Sequence, residues 1–305
     1  MTRPLRIGTR GSPLALWQAN HVADRLRAIA PGRAVELVII QTQGDQIQNQ
    51  PLSQIGGDGL FTKAIQDALR DGRADLAVHS LKDLPTVPVP GLVLAAVPPR
   101  ASTRDAFISH KFSRFDELPQ RAQIATGSQR RRALIRHRRP DLQLVDIRGN
   151  VDTRLRKLRD LNLDGLILAE AGLVRLGMGQ VITELLDPSW MLPAVGQGAL
   201  GLECRDDDLD TRKIVSMLDD LPSRQAVTAE RAMLLALGGG CQVPIGAAAT
   251  VAGATLALRG VVLAPDGARQ ISGETEGAAD RAEELGRDLA SRLLDAGARE
   301  LLAPM

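Results

Sequence analysis

Apolar residues along this chain fall into short runs and helical repeats that alternate. The run LRIGT (5–9) predicts a buried strand. Ser12-Pro13 follows as a helix start, with a capping hydroxyl and a proline at the first helical position. Leu14, Trp17, Val22, Leu26 and Ile29 then recur at helical spacing until Pro31-Gly32 stops the repeat. VELVIIQT (35–42), ADLAVHS (74–80) and LVLAAV (92–97) predict further strands, with a helix over about 60–70 between the first two. Strand, helix and strand in alternation predict an α/β unit with a largely parallel sheet.

The same grammar repeats. DAFIS and QIAT (123–126) precede a helix from Ser128 to His137. LQLVDI (142–147), a helix over 151–161 and GLILAE (165–170) complete the second unit. The Gly- and Pro-rich MLPAVGQGALGLEC (191–204) returns to an apolar strand, which suggests two lobes joined by crossing connections. Such lobes bind ligands at the carboxyl ends of their strands. The remainder changes period. A helix over 221–237 is followed by alternation of period two through ATVAGATLALRGVVLAPDGARQISGE, with APDG as a tight turn, and then by an amphipathic helix. The expected fold is therefore two α/β lobes plus a smaller C-terminal α+β domain with a three-stranded antiparallel sheet. The expected boundaries are 1–99 with 199–218, 100–198, and 219–305.

Composition narrows the function. Aromatics make up 2% of the chain and tyrosine is absent, which argues against a base-stacking nucleic-acid surface. The net charge of +2 supplies no general field for polyanions. No apolar run is long enough to span a membrane, and the N-terminus lacks a signal core, so a cytoplasmic location is expected. Only five of the 38 basic residues are lysines. Arginine grips carboxylates with two parallel hydrogen bonds, so its placement carries meaning. Arg10 lies at one strand-to-helix junction, and Thr126, Ser128 and Arg130-Arg131-Arg132 lie at another, where free helix N–H groups favour anions. Arg148, Arg154 and Arg175 follow later strands. Three consecutive arginines also suit a solvated helix face. No G-x-x-x-x-G-K-[ST] stretch supports a nucleoside triphosphate.

Two further places carry chemistry. AVHSLKDLP (77–85) sets Lys82 and Asp83 at a strand end, where a carboxylate can move protons or merely cap a turn. His79 reads as a strand histidine with a satisfied hydrogen bond. Cys241 sits in LGGGCQVPIG, outside any metal-ligand spacing. A buried inert thiol and a reactive thiol given room by Gly238, Gly239 and Gly240 both fit.

Taken together, RIGTRGSPLALWQA, GGDGLFTK, DLAVHSLKDLP, TGSQRRR, IRGNVDTRL, LAEAGLVRLG, LPAVGQGALGLECR, TAERA and GGGCQVPIG resemble the porphobilinogen deaminase (hydroxymethylbilane synthase) family over essentially the whole chain. The resemblance implies two lobes similar to type II periplasmic-binding-protein domains. It also implies a dipyrromethane cofactor joined by a thioether to Cys241, and a transferase that condenses four porphobilinogen molecules with loss of ammonia before water releases linear hydroxymethylbilane. Asp83 matches the catalytic aspartate. Ser80, Lys82, Asp83, Thr126, Ser128, Arg130, Arg131 and Arg154 match cofactor contacts. Arg10, Ser12, Gln18, Arg148, Arg154 and Arg175 match substrate contacts. A monomer with no nucleic-acid or membrane partner and no metal is expected. The chain departs from the family at Gln54 and Asp58, where lysines are frequent, and at Gly127 and Gln129 in TGSQRRR. A loop over 49–60 is expected to cover the site. The alternative is a non-enzymatic two-lobed protein that binds a polycarboxylate, which would need neither Cys241 nor Asp83.

Overall fold

The computed structural model describes residues 3–42, 62–239 and 243–302. They form two compact units, the first from Met1–Asn49, Gly57–Ala101 and Ala199–Arg224, the second from the remainder.

In the first unit a five-stranded sheet runs in the order β2-β1-β3-β10-β4. These strands are β1 (Leu5–Thr9), β2 (Val35–Ile39), β3 (Leu76–Ser80), β4 (Leu92–Ala96) and β10 (Leu200–Arg205). Helix α1 (Pro13–Ile29) buries Ala19, Val22, Ala23 and Leu26 against Leu5, Ile7, Val78 and Leu202 on one face. On the other, α2 (Lys63–Arg70) buries Ile65, Ala68 and Leu69 against Ile40, Ala74 and Ala77. Each large side chain enclosed this way contributes about 1.5–3 kcal/mol. The start of α1 follows from its sequence, because Ser12 Oγ accepts the Ala15 N–H at 3.3 Å and Pro13 opens the helix.

The expected largely parallel sheet is mixed. β1 pairs in parallel with β2 and β3, whereas β10 is antiparallel to both β3 and β4. The reason is where β10 begins: Leu200 faces Ser80, the last residue of β3, so the returning chain runs back down the sheet.

The second unit contains a similar sheet in the order β7-β6-β8-β5-β9, from β5 (Asp105–Ile108), β6 (Gln123–Ala125), β7 (Gln143–Val145), β8 (Gly165–Ala169) and β9 (Glu184–Leu185). Three helices follow its strands: α3 (Gln129–Arg138), α4 (Val151–Asp160) and α5 (Glu170–Arg175). α6 (Leu209–Val215) belongs to the first unit. Also in the second unit, β11 (Ile245–Ala252), β12 (Thr255–Leu263) and β13 (Gln270–Ala278) form the three-stranded antiparallel sheet. One of its faces packs on α7 (Leu221–Ala236) and α8 (Ala282–Leu293) through Met233, Leu285, Leu289, Leu256 and Leu258. The expected single closing helix is interrupted at Gly297, whose φ of 103° lies outside the helical range.

Gly238 and Gly239 serve the chain's own folding. Gly238, at φ 68°, ends α7 in the left-handed conformation, and the Gly239 N–H donates back to Leu234 O at 3.1 Å. A Cβ on Gly239 would lie 2.7 Å from Leu234 Cδ1 and Ile245 Cδ1. Helix termination therefore accounts for Gly238 and close packing for Gly239, and the room beside Cys241 expected from the sequence falls on residues outside those described.

Candidate functional site

Two strand ends in the first unit converge. β1 hands over to Arg10, Gly11 and Ser12 before α1, and β3 ends at Ser80 before a 3₁₀ turn, Leu81–Asp83. The parallel pairing of β1 and β3 brings these exits side by side. Arg10, Ser12, Gln18, Ser80 and Asp83 line one open pocket, with Thr62 and His79 in its wall. Gln18 is buried, and its Nε2 donates to Ser80 Oγ at 2.9 Å, which ties α1 to the end of β3. Lys82 lies in the same 3₁₀ turn, but it does not line this pocket.

In the second unit the junction after β6 is built around a shared carboxylate. Thr126 is fully buried, and its Oγ1 accepts the Ser128 N–H at 3.3 Å. Ser128 caps α3 by accepting the Arg131 N–H. Arg130 and Arg131 are both buried, which removes the reading of this run as a solvated face for these two residues. Arg130 Nη2 meets Asp105 Oδ2 at 2.8 Å, and Arg131 Nη2 meets Oδ1 at 2.7 Å. Gln197 Nε2 donates to the same Oδ1 at 2.8 Å. Burial by itself raises the Asp105 carboxyl's pKa, but the two guanidiniums and these hydrogen bonds outweigh it and hold the group well below the usual range. Burial lowers that of Arg130.

Arg154 Nε donates to Gly149 O at 2.8 Å, and Arg175 Nη2 donates to Gly198 O at 2.7 Å. Burial brings Arg175 down to about 10, so it stays cationic at neutral pH. Burial also lowers Arg148, with Asp146 opposing. Cys241, Gln54, Asp58 and the loop over 49–60 lie outside the described residues. Of the departures from the family pattern, Gly127 has a local cause: a Cβ there would lie 2.9 Å from the Ile147 carbonyl oxygen.

The sequence reading missed Asp105, Gln197, Gln66 and Glu203. Their signal is a charged or amide residue inside an apolar strand or turn: Asp105 opens DAFI and Glu203 interrupts LGLEC. Among the described residues, no group of His, Cys, Asp and Glu is arranged to hold a metal ion, and no helix is long and apolar enough to cross a membrane.

Residues 5–213 match the family model described as porphobilinogen deaminase, dipyromethane cofactor binding domain, and residues 224–295 match that of the porphobilinogen deaminase C-terminal domain. The chain belongs to the porphobilinogen deaminase family. Curated relatives bearing that name include one from Syntrophotalea carbinolica, 50% identical over 99% of this chain and 96% of its own length. Another, from Trichlorobacter lovleyi, is 52% identical over 98% and 95%. Among solved structures, a periplasmic substrate-binding protein from Coxiella burnetii aligns with a TM-score of 0.44 and 16% identity, covering 74% of this chain and 96% of that one. The methionine-binding protein MetQ aligns at 0.45 and 15%, covering 74% and 92%.

The described residues suit a dipyrromethane, which presents carboxylates and pyrrole N–H groups. In the first unit Arg10 and the N-terminus of α1 are donors for a carboxylate, and Asp83 is an acceptor in the same pocket. In the second, one carboxylate is shared by two guanidiniums, and Arg130 Nε is buried with no hydrogen-bond partner among the described residues. A further anion there would satisfy both conditions.

Proposed function

We infer that the chain is a hydroxymethylbilane synthase, a transferase that joins four porphobilinogen molecules head to tail with loss of ammonia and releases linear hydroxymethylbilane. The observation that carries this is the pocket that Asp83 lines together with Arg10 and Ser12, in a chain of this family. The dipyrromethane supplies, when bound, the free pyrrole α-carbon on which the product chain is built. Cys241 is its attachment point in this reading, and Ser80, Lys82, Thr126, Ser128, Arg130 and Arg131 are the residues that would hold it.

Each remaining residue has a task set by its chemistry. Arg10 and Ser12 bind carboxylates of the incoming porphobilinogen, Arg10 by charge and Ser12 through its hydroxyl hydrogen. Gln18 keeps Ser80 in place through their hydrogen bond. Asp83 gives a proton to the substrate's amine nitrogen as the C–N bond breaks, and its carboxylate then faces the positive charge left on the substrate. The same carboxylate receives the α-proton once the new carbon–carbon bond has formed. Arg148, Arg154 and Arg175 are cations for the carboxylates of the lengthening product.

Residues 219–305 are a domain of their own in this proposal, supported by the separate family model over 224–295. Action as a monomer in a reducing cytoplasm belongs to it too; such a compartment suits Cys204, a buried free thiol. The binding-protein alternative finds no support among the curated relatives, which bear an enzyme's name.

The test is intact mass together with turnover. Purified chain should carry the covalent mass of a dipyrromethane and should consume porphobilinogen with release of ammonia. A chain with neither property would overturn the assignment.

A further inference from the structure

The reaction as assigned makes no use of a buried polar cluster in the wall of the Asp83 pocket. Gln66 on α2, His79 on β3 and Glu203 on β10 are each at most 6% exposed. Gln66 Nε2 lies 3.1 Å from both Glu203 oxygens, and His79 Nε2 lies 3.1 Å from Oε2. Burying such a cluster returns little net stability, since desolvation offsets the hydrogen bonds gained, and apolar side chains would fill the space as well. With Glu203 as the acceptor, the hydrogen that it shares with His79 sits on Nε2. In the neutral ring this leaves Nδ1 with a lone pair. Among the described residues Nδ1 has no hydrogen-bond partner, and His79 lines the pocket with Asp83, Ser80 and Arg10.

We propose that His79 is a ligand-contacting residue whose Nδ1 accepts a substrate N–H, and that Glu203 is the positioning residue that holds this tautomer. The proposal rests on the reading of this pocket as a porphobilinogen site. Arg10 and Ser12 serve that molecule's carboxylates, but its ring N–H and aminomethyl group need acceptors. Asp83 is one acceptor, and His79 is the second. Glu203 acts through His79. A glutamine at 203 can donate its amide hydrogen to Nε2, which moves the ring hydrogen to Nδ1 and turns the acceptor into a donor.

Two amide substitutions separate the two ring nitrogens. Asparagine at 79 places an amide oxygen near the Nδ1 position, whereas glutamine reaches the Nε2 position and keeps the bond to Glu203. Expected are a KM near that of the unsubstituted protein for His79→Asn and a KM raised about tenfold for His79→Gln, one hydrogen bond's worth, while the melting temperature is lower for His79→Asn, which leaves buried Glu203 without its ring donor. The reverse ranking means that the imidazole serves only to hold Glu203, and it overturns the proposal. Nitrogen-15 spectra give a readout independent of turnover, in a chain with four histidines. The His79 hydrogen should reside on Nε2, and the Nδ1 resonance should move when porphobilinogen is added to the slow Asp83→Asn variant. Glu203→Gln should shift the hydrogen toward Nδ1. A hydrogen on Nδ1 in the unsubstituted protein, or an Nδ1 resonance indifferent to porphobilinogen, refutes it. Continued consumption of porphobilinogen by the unsubstituted chain in either case leaves the assigned reaction standing; its absence there defeats the assigned reaction instead.

Discussion

Arg131 Nη2 and Asp105 Oδ1 lie 2.7 Å apart with side chains 7% and 0% exposed, and Arg130 takes the other oxygen of the same carboxylate. A single buried anion thus separates two buried cations. Arg131 Nη1 also donates to Ile167 O at 2.9 Å, and Arg130 Nη1 donates to Leu192 O, so both forks are aimed by backbone as well as by charge.

Asp105→Asn should therefore destabilise the chain strongly. Removing one partner of a buried ion pair costs about 3–5 kcal/mol, because the remaining charge is left uncompensated. The folded-state pKa of Asp105 is depressed, so its contribution is fully present above the unfolded value of about 4 and is lost as pH falls below it. Urea midpoints at pH 7 and pH 3 check both parts. The gap between the Asn variant and the unsubstituted protein should be wide at pH 7 and narrower at pH 3; an equal gap would place the effect in packing rather than charge.

Asp83 is half-buried and lines an open pocket. Asp83→Asn should leave the melting temperature nearly unchanged while turnover falls about 10²–10⁴-fold, the usual range for general acid–base assistance. Near-normal turnover would move the proton transfer to another group.

The two cysteines should behave differently. Burial, with Asp208 adding to it, pushes the Cys204 thiol up to about 11, and its side chain is closed off in β10. Cys204 should resist iodoacetamide at pH 8 until the protein is unfolded, and Cys204→Ala should keep its covalent pyrrole. Cys241→Ala should lose it, as read by intact mass and by colour with an acidic aldehyde reagent. Covalent pyrrole that survives Cys241→Ala and disappears in Cys204→Ala would reverse the assignment.

Gly127→Ser should cost stability. The new Cβ lies 2.9 Å from a backbone oxygen at Ile147, which cannot rotate away as a side-chain end would. Overpacking of this kind costs about 1–3 kcal/mol. Thermal denaturation of the variant decides it, and an unchanged midpoint would show that the β6–α3 turn shifts freely.

The local signals in the chain were sufficient for most of its elements. Ser12 before Pro13 starts a helix because the capping hydroxyl and the fixed proline φ act within a few residues, and the structure has α1 begin at Pro13. Alternation through 249–274 produced three antiparallel strands for the same kind of reason, since side-chain facing along a strand is a local property. The strand-to-helix junctions bearing Arg10 and Ser128 were legible too, because helix ends expose their N–H groups wherever they occur.

Other features depend on residues that meet only after folding. The run Arg130-Arg131 has the same letters whether it is solvated or buried, and its burial depends on Asp105, some 25 residues earlier. His79 and Glu203 are 124 residues apart, and the pairing of β3 with β10 brings them together. The direction of β10 also came from tertiary structure, because hydrophobic periodicity is identical for a strand read up or down a sheet. Gly239 makes the same point at short range. A glycine in the sequence states only that a side chain is absent, and the neighbours Leu234 and Ile245 decide why. Spacing along the chain specified the helices and strands, because their hydrogen bonds and side-chain facing are set within a few residues. The charge balance of the buried sites was left to the fold, because a charge's energy depends on which groups surround it in space.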